Sequence, residues 1–423
     1  MAAGTNQDFA FLQKVIYADG TKPGDALVRD KPAMLNTPHK KDFASGKGYE
    51  IPAPYATPQG ASAAIATAAS NASPSKGSSF TVPQTTYFAQ MRLEHQLVKN
   101  AMEATTSGVS AAAFVDQMKY ETDGVEETIG VEMEKQIFGT GAGYRGVIGS
   151  VTIGADTTIT LQTITDSVLF EVDMWVVLAT TATGAIRSGG TTNKAKVSRV
   201  NTKTGVITFL AQNFTTLFGA ALVGDFIFRE GDAQNAGAAK VGFGLADWNP
   251  PTDPTATLFC GVDRSVYPSR LAGVRYDGKT DSLQTVWIRA LAQARTEVGP
   301  GFKKGTFYIH PLYGAAVRSE YEAKRVTDFE KQTTYEMGVE AFKVDNITFI
   351  EAALCPYGVS KMVADGAFVR ASCGDQPDWA GMGKGDQFWL DRDTGTVKGL
   401  MCNYGNLAAW HVNQLMHVEL PAI

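Results

Sequence analysis

Residues 273–280 read GVRYDGKT and satisfy GxxxxGK[ST], the loop whose backbone amides and lysine cradle nucleotide phosphates. That chemistry needs a buried apolar strand running into the first glycine and a helix opening after the last, so that amides and the positive helix end converge on the anion. Tyr267, Pro268 and Arg270 occupy the approach instead, and no run of four apolar residues ending in Asp follows to hold magnesium. The competing reading is a turn at Asp277 and Gly278 leading to a helix capped near Thr280 or Asp281. Gly141, Gly143 and Gly146 match G-x-G-x-x-G, the dinucleotide fingerprint, but follow a helical stretch where that fold requires a strand, so they read as a helix stop. The five histidines, His39, His95, His310, His411 and His417, show no HExxH or other paired ligand spacing, and no GxSxG elbow accompanies them. Cys260, Cys355, Cys373 and Cys402 lie far apart without a CxxC pair and read as buried free thiols. These residues point to no catalytic group, no metal and no cofactor.

The chain around them has 423 residues, 44% of them hydrophobic, enough for two or three domains with real cores. Charged residues make up 19%, below the roughly 25% of an average domain, and 43 glycines accompany many Thr, Ala and Ser; this suits surfaces that face other protein. With 38 Lys+Arg against 43 Asp+Glu, the formal charge of -5 lacks the footprint of a dedicated nucleic-acid binder. No 18 apolar residues run together, and the start has no basic segment followed by an apolar run, so neither a membrane span nor export is expected, and folding is expected in the cytosol.

Residues 1 to about 78 hold 7 of the 17 prolines and then a small-residue tract, a composition that buries too little apolar surface to offset chain entropy. Such an arm is expected to gain order only by lying across a neighbouring subunit. Phe80, Val82, Pro83, Tyr87 and Phe88 fall in an extended, hairpin-like piece running to Leu97. Over 111–138, Phe114, Met118, Val125, Ile129, Met133 and Ile137 recur at intervals of four and seven, which predicts a helix of roughly 42 Å at ~1.5 Å per residue. It carries seven acids against Lys119 and Lys135, read as a solvated face. Between Val151 and about Ala236, short alternating segments (158–163, 174–178, 196–200, 206–210 and 225–229), with a hairpin connection at 201–205, predict a small inserted all-β domain. A second helix is expected over 281–298, with Asp281 and Gln284 as a capping box, then a strand at 306–310, a helix around 312–324, a strand at 346–350 and strands over 399–420.

Taken in order, the strings FTVP (80–83), AF (113–114), QIFGTGAG (136–143), GVDRSVYPSRLAG (261–273) and FYIHP (307–311) make the chain resemble the capsid fold shared by tailed bacteriophages, the Hong Kong ninety-seven type. The resemblance implies an α+β fold with a long spine helix, peripheral and axial domains, an extended N-terminal arm and E-loop, plus an inserted small all-β domain. The boundaries it implies are an arm at 1–78, the E-loop at 79–110, the spine helix at 111–150, the insertion at 151–236, the peripheral domain at 237–330, the axial domain at 331–394 and C-terminal strands returning to the core at 395–423. An E-loop lies over a neighbour, which makes Phe80, Val82, Pro83, Tyr87 and Phe88 the candidate inter-subunit contacts. The function implied is that of a major capsid protein, not an enzyme, forming hexamers and pentamers of an icosahedral virion shell assembled in the bacterial cytoplasm. The implied partners are copies of itself, a separate scaffolding protein, a portal, possible decoration proteins, and packaged double-stranded DNA held without sequence-specific contact. No lysine lies between Gly77 and Arg92, so a Lys-to-Asn isopeptide link from the loop is not expected. The acidic helix is expected toward the lumen or under an arm. A P-loop nucleotidase and a bacterial encapsulin, which shares the fold but encloses protein, are the alternatives. Lys279→Ala separates the first of these: a nucleotidase loses nucleotide binding in a filter or calorimetric assay, whereas a shell subunit still assembles.

Overall fold

A computed structural model describes residues 39–42, 48–94, 111–219, 223–235, 239–299, 301–302, 305–323, 341–344, 347–372, 378–380, 388–391 and 396–423. The first 38 residues, the stretch 95–110 with His95, Cys373 and residues 331–340 of the expected axial domain lie outside this set. The chain divides into two compact units, one of Ala33–Thr86, Met133–Gly374 and Tyr404–Ile423, the other of Met1–Pro32, Tyr87–Glu132 and Asp375–Asn403.

The larger unit is built on a six-stranded mixed sheet in the order Val274–Asp277, Leu415–Glu419, Val359–Val363, Thr306–Ile309, Ile347–Glu351, Ala341–Val344. Phe307, Tyr308 and Ile309 are all fully buried, the continuous apolar run of a strand covered on both faces. One core contains Phe307, Phe349, Met416 and Val418 with Val286, Trp287, Ala290, Leu291 and Ala294 of the helix Val286–Val298, whose three- and four-residue spacing makes its buried stripe. Trp287 meets Phe349 edge-on at 4.9 Å between centroids. A second core gathers Ile137 and Phe138 from the end of the long helix with Trp248, Tyr308, Phe368 and Leu407. The long helix spans Ala111–Phe138, as its periodicity predicts. Its acids do not all form a solvated face, because Glu132 and Glu134 are buried in its last turns.

The insertion is a seven-stranded sheet in the order Ala195–Lys196, Trp175–Ala179, Phe226–Arg229, Tyr144–Thr152, Thr157–Leu161, Val206–Phe209, Arg199–Asn201. It has its own core, including Ile148, Ile159, Phe170, Leu178, Phe209, Phe214 and Ile227. Asn201 Oδ1 accepts from the amides of Lys203 and Thr204 in the expected hairpin connection, and a two-point ion pair at 2.7 and 2.8 Å joins Arg187 to Asp225. The sheet starts at Tyr144, earlier than expected, because the glycine run that stops the helix continues directly into a strand. Tyr144 and Phe228 are register partners, so the chain leaves for the insertion and returns from it on adjacent strands.

Other expectations are corrected. The second helix begins at Val286, and Asp281 is not its cap: its carboxylate accepts from the Tyr276 hydroxyl at 2.5 Å and pairs with Arg289. Strands at 341–344, 347–351 and 359–363, expected in a separate axial domain, belong to the central sheet, because strand pairing draws on segments distant in sequence. The smaller unit pairs Asp378–Trp379 and Phe388–Asp391 with the first part of Thr396–Ala409. Phe209→Ala should lower protection of the insertion amides by about 3–5 kcal/mol and leave the central sheet unchanged in native-state hydrogen exchange, because the two cores are separate.

Candidate assembly surface

The nucleotide-binding reading is overturned by its own residues. Val274–Asp277 is a strand, parallel to Leu415–Glu419, so Gly273 precedes the strand that should lead into it. Gly273 sits at φ +73 and a Cβ there would meet the Leu415 carbonyl oxygen at 2.8 Å; at Gly278 it would meet that of Glu419 at 2.7 Å. Both glycines therefore answer to a close neighbouring strand. The Lys279 ammonium is bound to Glu419 at 2.6 Å, and no helix opens until Val286. In the other glycine run, the Gly141 amide donates to Asp247 Oδ2 at 2.6 Å, and Gly244 donates to the same oxygen at 3.1 Å. The chain's own carboxylate thus stands where a phosphate would, its pKa pushed up to about 6 by burial. Among the described residues no group of three His, Cys, Asp or Glu side chains is placed to hold a metal.

The feature that lacks an internal purpose is a hairpin. Tyr49–Ala56 pairs antiparallel with Lys76–Val82, setting Tyr49 against Val82 and Ile51 against Phe80, with a bulge between Pro54 and Ala56. Its base is anchored: Ile51, Phe80 and Val82 are fully buried in the second core, and Phe80 meets Trp248 edge-on at 5.2 Å. The Thr81 amide donates to the Cys260 carbonyl at 2.9 Å, and Arg270 donates to the Tyr55 carbonyl at 2.7 Å. Pro52 and Pro54 take exposed positions on a two-stranded ribbon, where a missing N–H breaks no further ladder.

Beyond the base the ribbon enters solvent. A bridge between Gln59 and Ser73 closes its far end around the short helix Ile65–Ser70, which buries none of its residues. Residues 57–75 contain no charged side chain, and Ile65 is 89% exposed. An uncharged, small-residue tip with one bare isoleucine suits contact with protein better than contact with water.

The hairpin lies some thirty residues before the loop expected at 79–110, whose boundary falls inside a strand. Residues 49–56 and 76–82 do not depend on a sister molecule, since their base packs on their own chain. Phe80 and Val82 are consumed by that core and present nothing to a neighbour. Pro83 is exposed, though its carbonyl accepts from Asn406 Nδ2 at 2.7 Å; Tyr87 is half-buried and Phe88 is 50% exposed. Sequence reasoning missed Ile65, whose signal was an isolated large apolar residue in an uncharged tract. The lysine-free window 77–92 is not the hairpin either, since the hairpin carries exposed Lys76.

No protein-family model and no curated protein matches the chain. Among solved structures, a chain of the Cyanophage A-1(L) capsid asymmetric unit aligns with a TM-score of 0.55 at 12% identity, over 95% of this chain and 95% of that one. A chain of the phage G structure of gp27 major capsid proteins and gp26 decoration proteins gives 0.43 at 10% identity over 100% of each. The holo-SrpI encapsulin complex from Synechococcus elongatus PCC 7942 gives 0.44 at 10%, over 98% of this chain and 95% of that one. The fold assignment rests on the first: this chain has the capsid fold of tailed bacteriophages.

In urea unfolding, Ile65→Ser should change stability by less than about 0.5 kcal/mol, while Phe80→Ala should cost about 3–5 kcal/mol; a similar cost at both positions would place the tip in the chain's own core.

Proposed function

We propose that the chain is the major capsid protein of a tailed bacteriophage, assembling into the hexamers and pentamers of an icosahedral shell around double-stranded DNA. The observation that carries this reading is the hairpin: a base locked into its own core and an uncharged tip that buries nothing, mounted on the capsid fold. Laying that tip on the next copy makes a head-to-tail contact, the kind that closes into rings when the rotation suits. No single contact need be strong, because many modest ones multiply through effective concentration. The near-neutral charge fits a wall that lets DNA be packed and released, since affinity for nucleic acid grows with the number of phosphates neutralised. A separate scaffolding protein and a portal belong to the same reading, and Pro83, Tyr87 and Phe88 remain its candidate contacts beside Ile65.

Replacing residues 60–72 with Asn-Gly, a turn suited to closing the Gln59–Ser73 bridge, should leave a folded subunit that fails to form closed particles by electron microscopy. Wild-type particle yield rejects the hairpin's role. Unaltered particles should hold nuclease-protected double-stranded DNA; particles filled with protein instead identify an encapsulin.

A further inference from the structure

Three basic side chains stand in a row on one face of the central sheet. His417 is the register partner of Lys361 on one side and of Arg275 on the other, so the three share a face across adjacent strands. His417 is 4% and Lys361 3% exposed. Across this row runs the segment 249–254 (NPPTDP), whose three prolines prevent regular strand pairing. Its carbonyls are held by the row: Lys361 Nζ donates to Asn249 O at 2.9 Å, and Arg275 Nε to Pro250 O at 2.9 Å and Thr252 O at 3.2 Å. Arg275 also pairs with Asp253 at 3.2 Å. Between these two clamps, neither ring nitrogen of His417 has a hydrogen-bond partner among the described residues, and the Asn249 side-chain oxygen is likewise without one.

We propose that residues 249–254 form an acid-opened strap: a proton on His417 adds a third cation, without an acceptor, between Lys361 and Arg275, and the strap lifts to admit the water that solvates it. The cations acting on the imidazole are Lys361 and Arg275 on the flanking strands and Lys279 after the outer strand, and each has its own carboxylate: Asp247 acts on Lys361, Asp253 on the strap pairs with Arg275, and Glu419 pairs with Lys279. Burial first, then Lys361, Arg275 and Lys279, hold the His417 pKa down to about 2, and burial holds that of Lys361 down to about 7. Both groups bind a proton more readily with the strap open. The closed form is therefore weakened as pH falls from 10.5 to about 7 through Lys361, then from 6.5 toward about 2 through His417. Asp247, at about 6, has the opposite sign between 6 and 3.8, but the Gly141 and Gly244 amides hold it to the body when only the strap moves.

The strap leads to the turn whose Cys260 carbonyl receives the Thr81 amide, so its release loosens the footing of the hairpin, whatever the hairpin docks on. Hydrogen exchange over residues 252–263 of the full chain, corrected for intrinsic rates, tests the proposal. Between pH 6.5 and 5 Lys361 is mostly protonated in both forms, and the proton on His417 should raise the open population about sixteenfold, approaching tenfold per pH unit only well below 6.5. His417→Leu or His417→Gln should flatten that rise, and His411→Gln should not. An unchanged wild-type profile overturns the strap, as does equal acid sensitivity in a folded His417 variant; if neither variant folds, the wild-type profile decides.

Discussion

Phe80 fits edge-on against Trp248, Phe259 closes on Trp248 at 5.1 Å, and the Trp248 indole donates to the Leu407 carbonyl at 3.1 Å. This aromatic joint governs what the hairpin can be. A lone two-stranded ribbon is marginal in water, so its base, the start of one strand and the end of the other, must be stabilised by a core elsewhere, and Ile51, Phe80 and Val82 enter that core together. Nothing comparable supports the far end, where Ala, Ser and Thr surround Ile65. Rigidity at one end and lack of commitment at the other follow from where the large apolar side chains stop.

The buried charges obey a related logic. Lys361 and Arg264 bind backbone carbonyls at residues 247–249, Arg275 binds those at 250 and 252, and Asp247 binds backbone amides at 141 and 244. A connection carrying Pro250, Pro251 and Pro254 cannot satisfy its polar groups in a ladder, so side chains from the neighbouring sheet and loops do so. Glycines and lysines that looked like phosphate chemistry belong to this same close-packed framework.

The long helix was legible because six apolar residues repeat at its period, and the inserted strands because they alternate and an Asn-to-Gly turn separates two of them. The hairpin was not. Pro52, Pro54 and Pro58 fell in a stretch read as an arm without a core of its own, and nothing local announces that Ile51 will meet Phe80 across the ribbon. Distance in sequence hid other features: His39–Asp42 lies parallel to residues 369–372, a pairing with no local signal. Asp281 looked like a cap because Gln284 follows it, whereas Tyr276 and Arg289 claim it. Strands were expected over 399–420, but only strand register reveals that Lys361 and Arg275 flank His417. Phe80 and Val82 were found as important residues and assigned to the wrong partner, since burial against one's own chain and burial against a copy leave the same apolar mark.

Tyr144 beside Phe228 has a practical meaning. A guest sequence grafted at that point would hang from one stalk of adjacent strands, with its two ends already side by side. Exchanging the module for an antigen or enzyme would then ask little redesign of the framework beneath it.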